Sequence, residues 1–236
     1  MSYIKFELKK LKGSGIVLIG LILSILVIAF QGYACLKTET IKTELMHITA
    51  LNLYSGLVFP VFLSLIVIRS FYHEFSNNGF TNYYYNNISL KEMYMMKVVT
   101  ADIIGITWFI MALLFTSVFI IARKGNPVEI YAENIKFILI FIVGIMTVVN
   151  LTSVMCMIFE NQIIPIAISL TATVFESMAN VFGIGVLEPW SYFELSFYYR
   201  GLGYKFIIII IVCILSFVGT IFLIKKVQMH IIEKKL

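Results

Sequence analysis

The sequence predicts an all-α fold, a polytopic membrane protein with six transmembrane helices. Three observations lead there. Of 236 residues, 60% are hydrophobic and 13% charged, with a mean hydropathy of +0.95; soluble domains average about 45–50% apolar and 25% charged. Six apolar runs each approach the roughly 20 residues a helix needs to cross a bilayer. Lysines gather at both chain ends, four before the first run and four after the last, so the positive-inside rule places both ends in the cytoplasm. Little chain is left for a soluble domain, and residues 1–236 read as one transmembrane domain.

Residues 1–13 open the chain with Ile4, Leu8 and Leu11 at i, i+4, i+7 beside Lys5, Lys9 and Lys12. That spacing predicts a basic amphipathic helix in the headgroup layer, or a plain topogenic lysine cluster. The first span, 15–34, is too long for a signal-peptide core and is expected to stay uncleaved. A polar connection over 36–50 leads to the second span, 51–71, where Pro60 deletes a backbone donor near the middle. The resulting bend serves either packing or a hinge.

Residues 72–97 form the longest polar interruption expected on the inner side, rich in asparagine and tyrosine. Ser89 followed by Glu92 has the capping-box spacing and predicts a short amphipathic helix in its second half. The third span, 98–122, ends at Arg123-Lys124-Gly125-Asn126-Pro127, a turn signal. The fourth and fifth, 137–159 and 163–182, are separated by a short turn, and the sixth is 205–224. Before it lies an aromatic, half-polar outer segment, 183–204. It is too hydrophobic for an ordinary loop and too short to span twice. It predicts an interfacial helix in the aromatic belt or a re-entrant hairpin shielded by protein.

Catalysis has little to work with. No G-x-x-x-x-G-K-[ST], H-E-x-x-H or G-x-S-x-G occurs, so energy must come from a partner or an ion gradient. The basic residues flank apolar segments and do not point to nucleic acid. Cys35, Cys156 and Cys213 match no metal or redox spacing. Two acids lie within spans. Asp102, five residues after Lys97, reads as a structural acid paired with Lys97 or a neighbour; Glu176 reads equally as a hydrogen-bonded structural acid or as a proton-relay or substrate group. Asn150 and Ser153 share a face of the fourth span, for interhelical hydrogen bonding or a polar pathway lining.

Taken together, six spans, an amphipathic start, a polar loop between spans two and three and an aromatic outer segment before span six resemble the type-2 permeases of ATP-binding-cassette exporters. In that family the second span ends in an acid, followed by a Gly-Thr element, a Pro-x-Ser turn and a later lysine. Here Glu74, Gly79, Thr81, Ser89 and Lys97 stand in that order, with Phe80 splitting the Gly-Thr pair and Asn87-Ile88-Ser89 lacking the proline. Leu187-Glu188-Pro189-Trp190-Ser191-Tyr192 is similar to the Pro-Trp element of the lantibiotic-immunity branch, which expels antimicrobial peptides.

The resemblance implies a coupling helix between spans two and three that docks on a dimeric cytoplasmic ATPase, through Glu74, Gly79, Thr81, Ser89, Leu90, Lys91 and Tyr94. It implies no cofactor on this chain, with ATP and magnesium on the ATPase. It also implies a second permease copy or sister permease, and an amphipathic antimicrobial or toxin peptide expelled from a bacterial membrane. Asn150, Glu176, Trp190 and Tyr192 are the expected pathway residues. The alternatives are a gradient-driven carrier using Glu176, or an exporter of another hydrophobic substrate such as a drug or lipid.

Overall fold

The computed structural model describes residues 3–38, 42–76, 89–159, 161–197 and 204–233. Among them, every regular element is a helix or a helical turn. A short helix, α1 (Tyr3–Gly13), is followed by α2 (Ile16–Lys37), α3 (Met46–Leu53), a π-turn (Tyr54–Val58) and α4 (Phe59–Ser76). Then come α5 (Leu90–Ala122), the short α6 (Pro127–Glu133), α7 (Ile135–Ile158) and α8 (Ile163–Val181). Two 3-10 turns and the four-residue α9 (Tyr192–Leu195) precede α10 (Lys205–Glu233). Six helical stretches are long and apolar enough to cross a membrane: Ile16–Lys37, Met46–Tyr72, Lys91–Ala122, Ile135–Ile158, Ile163–Val181 and Lys205–Ile224. The end of the bundle carrying α1 is called the near end below, and the opposite one the far end.

Two boundaries differ from the sequence reading. The second span starts at Met46 and not at 51, because α3, the π-turn and α4 run on as one rod, of which the 27 residues Met46–Tyr72 are apolar enough to cross a membrane. The apolar face of Met46, Ala50 and Leu51, each at most 1% exposed, takes helix into what reads as a polar connection. The Ser89–Glu92 capping box is present: Ser89 Oγ accepts from the Glu92 N–H at 3.2 Å, and Glu92 Oε2 accepts from the Ser89 N–H at 2.9 Å. It opens no separate short helix. The box starts α5, which continues unbroken for 33 residues as the third span, since nothing between Leu90 and Val98 breaks a helix.

Pro60 sits just past the π-turn. In an α-helix its ring crowds the carbonyl four residues earlier and its missing N–H leaves that carbonyl unpaired. One turn of wider π geometry, in which the Phe59 N–H bonds the Tyr54 carbonyl, relieves this locally.

α7 is the hub. The central window of this helix is 61% buried within the chain, against 17% for α10, 22% for α2 and 28% for α8. Around it lies an aromatic core. Phe109 of α5 stacks on Phe141 of α7 at 4.0 Å and 5°, and Phe59 of α4 meets Phe141 at 5.1 Å. Phe193 of α9 closes on Phe59 at 5.0 Å and on Phe141 at 4.9 Å. Offset and edge-on aromatic pairs contribute about 0.5–1.5 kcal/mol each beyond area burial, which matters in lipid, where the hydrophobic effect does not drive helices together.

At the far end Arg123 fastens two spans. Its Nη2 donates to the carbonyls of Cys35 at 2.6 Å, Leu36 at 3.0 Å and Thr38 at 2.6 Å, the orphan acceptors at the C-terminus of α2. The three cysteines are free thiols; Cys35 and Cys156 are buried. His47 packs edge-on against Tyr131 and Phe137.

Close approach of α2 to α4 and α5 depends on Gly20. A Cβ there would collide with Trp108 Cη2 and stand 2.8 Å from Phe62 Cδ1, both on rigid rings. Gly20→Ala is therefore expected to cost about 1–3 kcal/mol by overpacking. Gly219→Ala on α10, where a Cβ meets nothing within 4 Å, should be neutral or raise stability by up to about 1 kcal/mol. Thermal unfolding of the two variants in nanodiscs checks the contrast.

Candidate functional site

The near end is built around a buried lysine. Lys97, on α5 two turns past the capping box, is 2% exposed. Its Nζ donates to Glu7 Oε2 at 3.1 Å, to the Ser70 carbonyl at 2.8 Å and to Ser70 Oγ at 3.4 Å, and it lies 5.5 Å from the Phe71 ring centre. Glu7, 3% exposed, accepts a second bond at Oε1 from Lys10 at 3.1 Å. An unpaired ammonium at that depth is prohibitive, and these acceptors are what permit it. One lysine thereby joins α1, α4 and α5. Sequence reasoning offers Lys97 or a neighbour as the partner of Asp102; the structure gives Lys97 to Glu7, and Asp102 Oδ1 has no hydrogen-bond partner. Glu7 was missed because the apolar period of α1 points to Leu8 and Leu11. The helix instead turns Glu7 and Leu11 inward and leaves Leu8 37% exposed. The available signal was an acid alone among lysines.

Of the predicted coupling residues, Ser89 and Lys91 are exposed at the start of α5. Tyr94 is 1% exposed and points into the bundle. Leu90 is the first residue of α5 and Glu74 lies in the last turns of α4. Gly79 and Thr81 lie outside the described residues.

Tyr94 leads to the second network. Its hydroxyl donates to Asn150 Oδ1 at 2.7 Å. Asn150 Nδ2 donates to Ser216 Oγ at 3.2 Å and to Thr220 Oγ1 at 3.0 Å. Asn150 is 0% exposed, and its amide ties α5, α7 and α10 together. Ser153, on the same face, bonds back to the Val149 carbonyl of its own helix.

The far-end segment turns inward. Trp190, Ser191, Tyr192, Phe193 and Phe197 are all at most 6% exposed. Trp190 Nε1 reaches Ser64 Oγ on α4 at 3.4 Å, and the Tyr192 hydroxyl donates to the Val186 carbonyl at 2.9 Å. These aromatic rings are buried among the helices and are not spread around the rim. The segment caps its own turns: Glu188 Oε2 accepts from the Ser191 N–H at 2.8 Å, and Ser191 Oγ donates to the Gly185 carbonyl. That capping lets irregular backbone enter the bundle. Burial pushes Glu188 up to about 7, against the lowering by the Ser191 and Trp190 N–H groups, and pushes the Tyr192 hydroxyl above its usual value.

Glu176, on α8, faces this segment and is 4% exposed. The structure therefore brings Glu176, Trp190 and Tyr192 to one end, puts Ser89 and Lys91 at the other, and holds Asn150 in the helix clamp between them. Among the described residues no group of His, Cys, Asp and Glu is arranged to hold a metal ion.

A family model described as "ABC-2 family transporter protein" matches residues 3–176 of the chain. No curated protein and no solved structure matches it.

The Lys97–Glu7 pair lends itself to a double-mutant cycle. Glu7→Ala, which strands a buried ammonium, is expected to lower stability by about 3–5 kcal/mol, and Glu7→Leu combined with Lys97→Met to recover most of it. Denaturation midpoints in one detergent measure both; equal loss in the single and double variants means the pair is not what stabilises the junction.

Proposed function

Because the chain belongs to the ABC-2 transporter family, as the membrane permease that works with a separate ATPase, we propose that it expels amphipathic peptides from a bacterial cytoplasmic membrane. In this reading both termini are cytoplasmic, and the near end receives the motor. The ATPase dimer carries ATP and magnesium and docks against the loop region between α4 and α5, at Glu74, Gly79, Thr81, Ser89, Leu90 and Lys91. Tyr94 passes the movement inward through its bond to Asn150.

The observation that carries this reading is the near-end junction. The exposed start of α5 at Ser89 and Lys91 stands two turns from Lys97, which is bolted to α1 and α4. A push on that start moves α1, α4 and α5 together as a rigid body, the discrete kind of switch packed helices support. At the other end, Glu176, Trp190 and Tyr192 form the substrate side of the route. The thinly buried α2, α8 and α10 leave wide apolar faces for lipid, for an amphipathic peptide and for a second permease copy or sister permease. A peptide of that class already partitions into the interface through its apolar face, so lateral access suffices.

A gradient-driven carrier is the second reading, favoured by the buried acid Glu176 within a span. Lys91→Glu separates the two. It leaves the Ser89–Glu92 cap intact, and a motor-driven permease is expected to lose ATPase co-purification and ATP-dependent peptide release by about tenfold or more, with its unfolding midpoint unchanged. Full release by Lys91→Glu vesicles lacking ATP, abolished in Glu176→Gln, sinks the motor and favours the carrier.

A further inference from the structure

Under the far-end segment lie three side-chain oxygens without a donor, on Glu176, Asn180 and Glu188. Glu176 Oε1 rests against the π-turn, 2.8 Å from where a Cβ on Gly56 would stand. Glu176 Oε2 has no hydrogen-bond partner. One turn along α8, Asn180 Nδ2 donates to Glu194 Oε2, while Asn180 Oδ1 is buried against Gly185 without a donor. Glu188 spends Oε2 on the Ser191 N–H, and its Oε1 is likewise buried and unpartnered. Asn180 links the three acids: it follows Glu176 by one turn, bonds Glu194, and lies against Gly185, whose carbonyl accepts from the same Ser191 whose N–H bonds Glu188. Among the described residues, ion pairs to basic side chains are formed by Glu7 and by none of these three acids.

Gathering carboxylates with no ion-paired base among the described residues is unfavourable unless something positive completes the site. With these carboxyls ionised, every unfilled atom here is an acceptor, and the complement is a group made only of donors. Ammonium carries three N–H donors and guanidinium five, and neither accepts. A bare metal ion fits less well, since no cluster of metal-ligand geometry occurs among the described residues. We propose that Glu176, Glu188, Glu194 and the Asn180 carbonyl oxygen form a binding site for an ammonium or guanidinium group of the transported molecule. The inference rests on the export reading and narrows its substrate to cationic amphiphiles. An apolar peptide face would lie along the exposed surface of α8, where Val174, Phe175 and Met178 are 70%, 45% and 55% exposed, while its cation enters beneath the segment.

The test uses the full chain in nanodiscs of zwitterionic lipid. The probe is a fluorescent amphipathic peptide carrying lysines, compared with the same peptide fully acetylated. Wild type is expected to bind the lysine form at least about tenfold more tightly. Glu176→Gln should cut that preference to about twofold or less. Glu194→Gln, at a half-buried position, repeats the measurement if Glu176→Gln lowers the unfolding midpoint. A preference that survives both substitutions, or a wild type that binds the two forms equally, overturns the cation site. ATP-driven release of the acetylated peptide by vesicles containing the permease and its ATPase is read separately. If that release occurs while the charge preference is absent, the cation site fails and the exporter reading stands.

Discussion

A lysine ammonium with 2% exposure is tolerable only where acceptors surround it, and at Lys97 those acceptors come from two other helices. Glu7 brings α1, and the Ser70 carbonyl and hydroxyl bring α4. The near end is organised by that requirement. α1 cannot simply float in the headgroup layer, because its acid is needed inside. α4 and α5, which flank the loop between the second and third spans, cannot separate without stranding a charge. A buried ion pair contributes little net stability against well-packed apolar side chains, but it fixes geometry.

The middle and the far end follow the same rule with weaker bonds. In the absence of water, each polar atom must find a partner within the chain. Asn150 does so through Tyr94, Ser216 and Thr220, which holds the thinly buried α10 against α7. Residues 183–197 cap their own turns and can therefore sink Phe193 into the aromatic core beside Phe59 and Phe141. The exceptions gain meaning from that background. Glu176, Asn180 and Glu188 keep unfilled acceptors at the far end, with Glu176 against the π-turn.

Membership of the ABC-2 transporter family fits this division of labour. A permease has to be stiff where it meets its motor and adaptable where it meets its cargo. Here the charged lock lies at the near end. The irregular helix, the inserted segment and the open acceptors lie at the far end.

Six spans were legible in the residues because lipid imposes a single test, about 20 apolar residues in a row, and composition alone answers it. The capping box at Ser89 and Glu92 was legible too, since a cap is a local contact between residues three apart. Contacts between distant residues were not. Nothing near Lys97 in the chain points to Glu7, ninety positions earlier, and the nearby Asp102 was the natural partner to expect. The burial of Trp190 and Tyr192 was hidden for the same reason: amphipathic aromatic residues suit a headgroup belt and a protein interior equally well, and only the packing of α4, α7 and α8 around them decides. Sequence by itself determined the membrane class, the number of crossings and the start of α5. Tertiary structure decided which charges meet and which acceptors remain open, because those depend on how helices far apart in the chain are rotated against one another.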